Sequence, residues 1–219
     1  MHHHCFLRHA MTRPAAFLDD LDAEPPNFTS SLERLRAGEE EAFDDLVRTM
    51  GCRLLAVARN MLWNEQDAQD AVQEAFLNAF KSIESFDGRS EISTWLHRIT
   101  VNACLMKLRS RRRHPERALE DLLPAFLADG HQKNPSRSWK PDPAYGIEES
   151  ELCALVRARI GELPVESREI ILLRDFVGLD TEQTAHMLGI SVPAAKTRLH
   201  RARQALKTLL DPHFVEDMP

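Results

Sequence analysis

Gly178 to Leu210 reads GLDTEQTAHMLGISVPAAKTRLHRARQALKTLL. Asp180 or Thr181 can cap a short helix, Gly189 supplies a turn, and Ser191 caps a longer helix with Pro193 tolerated in its first turn. Ala185, Leu188, Ile190, Ala195 and Leu199 are spaced to pack the two helices together, while Lys196, Thr197, His200, Arg201 and Arg203 project from the second. The pattern is a helix-turn-helix whose second helix would enter a major groove. A basic helical hairpin with no DNA role is the competing reading. The cap, the glycine turn and a first helix without lysine or arginine weigh against it.

Working outward, helical pattern precedes this motif from about Ile147 (Leu152, Leu155, Val156, Ile160, Leu163). Pro164 breaks it, a second helix runs from about Val165 to Val177, and Gly178 closes that helix. Upstream, residues 114–146 hold Pro115, Pro124, Pro135, Pro141 and Pro143 without sustained periodicity. This reads as a linker of roughly thirty residues, long for a connection inside a domain. Leu119, Leu122, Leu123, Phe126 and Leu127 could form one amphipathic turn within it. Trp139 and Tyr145 suggest that part of it docks, and His131 reads as exposed.

Phe86 to Arg113, FDGRSEISTWLHRITVNACLMKLRSRRR, joins a polar glycine loop to a helix and a block of cations. Leu96, Ile99, Ala103 and Met106 recur at helical spacing and are expected on the buried face. Thr94, Arg98, Asn102 and Arg109, with Trp95 beside them, lie opposite. Cations that follow phosphates and an indole and amide that meet unstacked bases suit single-stranded or partly melted nucleic acid. An ordinary amphipathic helix with a solvated basic end is the alternative, and this stretch alone does not choose.

Before it, Ser31 to Ala37 reads as a short helix ended by Gly38. Glu39 to Leu62 is a longer helix with Phe43, Leu46, Val47, Met50, Leu54, Val57, Ala58 and Met61 in period, its acids at the favoured N-terminal end. Asn64 caps the next helix, where Ala68, Ala71, Val72, Ala75, Phe76, Ala79, Phe80 and Ile83 form the expected buried stripe. Asp67, Asp70, Gln73, Glu74 and Asn78 make an acidic, amide-bearing ridge, either a solvated face or a docking surface for a basic groove. Residues 1–28 look like a loose acidic leader broken by Pro14, Pro25 and Pro26.

In a chain of 219 residues, 43% hydrophobic and 28% charged, the formal charge of −6 hides a segregation. Residues 19–45 carry ten acids against two arginines. Residues 107–113 and 196–207 carry five cations each and no acid. Two basic surfaces on an otherwise acidic protein are implied. The scattered Cys5, Cys52, Cys104 and Cys153 fit reduced thiols, with the last three expected as small core residues. No apolar run approaches the roughly 20 residues of a membrane span, and MHHHCFLRHAM is too polar for a secretory signal. No metal-ligand constellation, glycine-rich phosphate loop or nucleophile with a placed base is present in the sequence, so an enzyme is the least supported class and no cofactor is expected.

Three segments, in order, resemble bacterial RNA polymerase sigma factors of the sigma-70 family, in the small extracytoplasmic-function (ECF) group. DAQDAVQEAFLNAF (Asp67 to Phe80) is similar to the part of region 2 that binds the clamp helices of core polymerase. FDGRSEISTWLHRITVNACLMKLR is similar to the melting and minus-10 segment. LPVESREIILLRDFVGLDTEQTAHMLGISVPAAKTRLHRARQAL is similar to region 4, which reads the minus-35 element. Thr184 and Ala195 stand where the family more often has larger branched residues, so looser packing is expected there.

The resemblance implies an all-α chain with a region 2 helical bundle at 29–113, a Pro-rich linker at 114–146 and a region 4 helix-turn-helix at 147–212, whereas the disordered acidic leader at 1–28 has no counterpart in it and a short tail remains at 213–219. It assigns core-polymerase binding to Asp67, Asp70, Gln73, Glu74, Phe76 and Leu77. Minus-10 DNA falls to Phe86, Gly88, Arg89, Trp95, Arg98, Asn102 and Arg109, and phosphate contacts to Lys107, Arg111, Arg112 and Arg113. Minus-35 DNA falls to Lys196, Thr197, His200, Arg201 and Arg203. The implied partners are the beta and beta-prime subunits of core RNA polymerase, promoter DNA and an anti-sigma factor, in the cytoplasm, with no small-molecule substrate. The rival reading is a helix-turn-helix regulator whose N-terminal helices sense a ligand or dimerise.

Overall fold

The computed structural model describes residues 32–110, 118–123 and 149–214. The leader, Arg111 to Arg113, His131, Trp139, Tyr145 and the remainder of the linker lie outside the described residues. The described residues form helices and short turns, with no strand among them, and fall into two units, residues 32–110 in one and residues 118–123 with 149–214 in the other.

In the first unit, α1 (Leu32–Arg36), α2 (Glu40–Leu62), α3 (Glu65–Ser82) and α4 (Ile92–Ser110) enclose one core. Helices α2, α3 and α4 pack mutually, and α1 rests on α2. Their buried residues keep helical spacing: Leu46, Met50, Leu54, Ala58 and Met61 on α2, and Leu96, Thr100, Cys104 and Leu108 on α4. The Asn64 side chain accepts from Asp67 N at 3.0 Å, capping α3 as its sequence suggests. Arg59 clasps Glu65 at 2.5 and 2.7 Å across the α2–α3 corner.

The contact face of α3 is lined chiefly by alanine: Ala68, Ala71, Ala75 and Ala79 are buried, with Val72 beside them. Small side chains let α2 and α4 approach closely, so the larger residues of α3 are displaced to its rim. Phe76 is half-buried, and Phe80, expected in the core, is exposed with its ring 4.8 Å from that of Phe43. Val47 is likewise exposed.

Two further expectations are corrected. Met106 is 62% exposed; Leu105, one residue earlier, takes the core position. Of the cysteines, Cys104 is buried but Cys52 is exposed and Cys153 half-buried. Burial pushes the Cys104 thiol up to about 12.

In the second unit, α5 (Leu119–Leu122), α6 (Glu149–Gly161), α7 (Val165–Ile171), α8 (Thr181–Leu188) and α9 (Val192–Phe214) gather around α9. Ile160, Leu163, Ile170, Ile171, Leu172, Leu173, Ala202, Leu206 and Leu210 form its core. Helix α7 runs into a π-helical turn at Leu172–Phe176, where Val177 N donates to Leu172 O at 2.9 Å. Asp180 and Gln183 form a reciprocal capping box on α8. Gly189 turns the chain at φ +65°, a conformation that favours glycine, and Ser191 Oγ accepts from Ala194 N at 3.3 Å to start α9. Thr184 and Ala195 are buried, and Thr184 Oγ1 donates to Asp180 O at 2.7 Å, so the hydroxyl enclosed there is satisfied.

Candidate nucleic-acid interface

Helix α4 is buried over a wide arc because α2 and α3 flank it, which leaves one narrow stripe outside. Trp95, Arg98, Asn102, Met106 and Arg109 follow at intervals of three or four residues along that stripe. Trp95 is half-buried; the other four are exposed. Met106 was missed as a candidate because its apolar character suggested core, although it stands four residues after Asn102 and three before Arg109. Its exposed thioether is polarizable.

Phe86 does not face outward. It is buried, its ring lies 4.9 Å from Trp95, and its carbonyl accepts from Arg36 Nη2 at 2.5 Å. The phenyl ring therefore sets the pose of the indole. Beyond it, Asp87 Oδ1 accepts from Arg89 N at 3.1 Å, and the Arg89 guanidinium lies 3.0 Å from the same carboxylate. Gly88 sits between them at φ +73°, where a side chain would be strained. The loop thus presents an exposed backbone turn at the start of α4.

On α3, Gln73 and Glu74 are exposed and Leu77, 60% exposed, stands among them. Asp67 and Asp70 are half-buried at one edge. Asp70 accepts from Gln66 Nε2 at 3.1 Å and from Lys107 Nζ at 3.3 Å. Of the four cations expected on phosphate, Lys107 is therefore tied to the acidic ridge, and Arg111, Arg112 and Arg113 lie outside the described residues. Leu77 rather than Phe76 offers the accessible apolar surface. His97, partly buried on α4, has its pKa lowered by loss of solvent.

Helix α9 separates its cations by role. Lys196, Thr197 and His200 are exposed on one face. Arg203 instead grips Asp175 through Nε at 3.1 Å and Nη2 at 2.5 Å, with side chains only 26% and 19% exposed. Arg198 pairs with Glu166 at 3.3 Å. Arg201 pairs with Glu120 of α5 at 3.0 Å. The Glu120 carboxyl is held below its ordinary range by its own backbone amide and then by Arg201. Sequence spacing brought Arg203 into the recognition set because the capture of its guanidinium by a residue 28 positions away leaves no local signal.

Among the described residues, no group of three or more His, Cys, Asp or Glu side chains could hold a metal ion. No helix there is long and apolar enough to cross a membrane.

Residues 37–114 match the family model for Sigma-70 region 2, and residues 153–206 match that for Sigma-70 region 4. The chain is 38% identical over 174 residues to the ECF RNA polymerase sigma factor SigM of Mycobacterium tuberculosis, covering 80% of each chain. It is 32% identical over 184 residues to the RNA polymerase sigma-H factor of Pseudomonas aeruginosa, covering 83% of this chain and 92% of the relative. Among solved structures it is similar to CnrH in complex with the cytosolic domain of CnrY, at a TM-score of 0.53 and 28% identity, over 83% of this chain and 96% of that one.

Proposed function

Because this chain belongs to the extracytoplasmic-function group of the sigma-70 family, we propose that its two units divide promoter recognition as follows. The chain directs core RNA polymerase to promoters and starts transcription there. The exposed stripe of α4, from Trp95 through Arg98, Asn102 and Met106 to Arg109, takes unstacked bases of the minus-10 element. The loop at Asp87 to Arg89 borders the pocket for a flipped base, whose extrusion costs a few kcal/mol that the pocket must return. The exposed side of α3, with Gln73, Glu74 and Leu77 at its centre, meets a basic surface of the polymerase. Lys196, Thr197, His200 and Arg201 read the minus-35 element, where a good base contact is worth about 1–3 kcal/mol.

The observation that carries this reading is the pairing, in one chain, of a helix stripe bearing an indole, an amide, a thioether and arginines on one unit with a capped helix-turn-helix on the other. The chemistry of RNA synthesis belongs to the polymerase, and the chain works beside it in the cytoplasm. We also infer an anti-sigma partner for this chain; CnrH, to which it is similar, has been solved in complex with the cytosolic domain of CnrY.

Transcription in vitro with core polymerase on a genomic promoter library tests the whole assignment. Start sites sharing two motifs at fixed spacing are expected. Tight duplex binding by the chain alone, with no transcript in the presence of core enzyme, would instead identify a helix-turn-helix regulator.

A further inference from the structure

Helix α5 belongs to the stretch that composition marks as linker, yet it is seated on α9. Leu122 is buried, and Glu120 Oε1 accepts from Arg201 Nη2 at 3.0 Å across 81 positions of sequence. We propose that this linker segment is an internal competitor for promoter DNA, holding Arg201 away from the minus-35 element until α5 is lifted off. The inference rests on the assignment of Arg201 to the DNA-reading face.

The chemistry is that of mimicry. A carboxylate and a phosphate offer the same kind of paired anionic oxygens to a guanidinium. Glu120 therefore occupies Arg201 with a group similar to the one DNA would present, and the exposed Asp121 adds a second negative charge beside it. The two halves of the contact differ in character. Leu122 supplies an apolar anchor that is shut off from water, whereas the ion pair is wet, with Arg201 41% and Glu120 72% exposed. Exposed pairs are weak and exchange readily, so the pair can yield to DNA once the anchor lets go. Lys196, Thr197 and His200 stay exposed meanwhile, so first encounter remains open while the full grip is withheld. The state of the linker is thereby coupled to the DNA affinity of the helix it touches.

Fluorescence anisotropy of the full chain on a short labelled duplex of mixed sequence tests this directly. Glu120→Gln is expected to bind about two- to fivefold tighter than the unaltered chain, the factor an exposed ion pair can supply. Asp121→Asn removes the same charge without touching Arg201, so its smaller gain measures general repulsion alone. In an Arg201→Ala background, Glu120→Gln should gain no more than Asp121→Asn does. The competitor model is overturned if Glu120→Gln binds no tighter than Asp121→Asn, or if its excess gain survives in the Arg201→Ala background. Arg201→Ala alone separates the two levels of the argument. Weaker binding upholds the DNA-face assignment whatever the fate of the competitor, and unchanged binding removes both.

Discussion

Lys107 Nζ lies 3.3 Å from Asp70 Oδ2, so the acidic ridge of α3 and the basic end of α4 are joined by an ion pair. Asp70 thus belongs both to the fold and to the proposed docking surface. Glu74, one turn further on and exposed, leaves that pair untouched. Glu74→Lys alone should lower affinity for core polymerase by tenfold or more, about 1.4 kcal/mol, measured by competition for holoenzyme assembly. Asp70→Lys should also lower the stability of the first unit, by up to about 1 kcal/mol through loss of a partly exposed pair. Normal assembly by the Asp70→Lys, Glu74→Lys double variant would remove this ridge from the polymerase contact.

Arg203 and Asp175 form a two-bonded, largely enclosed pair, so Arg203→Ala is expected to act on stability. The loss should be about 1.5–3 kcal/mol, the range for hydrogen bonds to charged groups, read by urea denaturation. At temperatures where the variant remains folded, its minus-35 footprint should match that of the unaltered chain. A footprint lost without any change in unfolding midpoint would return Arg203 to the DNA-reading set.

Met106 and Leu105 are neighbours with opposite orientation, and they separate surface from core. Leu105→Ala should destabilise the first unit by about 2–5 kcal/mol. Met106→Glu should stay within about 0.5 kcal/mol of the parent yet weaken binding of single-stranded minus-10 DNA in holoenzyme about tenfold. Unchanged strand capture by Met106→Glu would shorten the proposed stripe to end at Asn102.

His97 gives the first unit a dependence on pH. Its folded pKa is lowered by burial below the ordinary 6.5, so the unfolded chain binds more protons at intermediate pH. Its stabilising contribution is therefore complete above about 6.5 and falls as pH drops through that value toward the folded pKa. Denaturation midpoints from about pH 8 down to about pH 5 should show this slope, and His97→Leu should flatten it. An equal slope in both chains would place the titration elsewhere.

Most elements were legible in the residues because local chemistry marks their ends. Asn64, Asp180, Gly189 and Ser191 cap or turn where their side chains and backbone freedom suggest. Burial was less legible wherever it depended on thickness between helices. Phe80 and Met106 fit a helical period for the core, but an alanine-lined α3 and the neighbouring Leu105 leave them outside. Cys52 followed the same faulty inference, while Cys104 is enclosed. Long-range pairs left no trace in the local pattern. Nothing around Arg203 announces Asp175, and nothing around Arg201 announces a glutamate in the linker.

The four buried alanines of α3 have a consequence for how the first unit can change. They act as a gauge: the separation between the outer faces of α3 and α4 is set by methyl groups, the smallest side chains that still fill a helix contact. A single enlargement, such as Ala75→Val, would cost about 1–3 kcal/mol by overpacking and would also displace the acidic ridge of α3 relative to the exposed stripe of α4. Substitutions along the outer faces can therefore change their chemistry freely, while this hidden spacer holds the two surfaces in register.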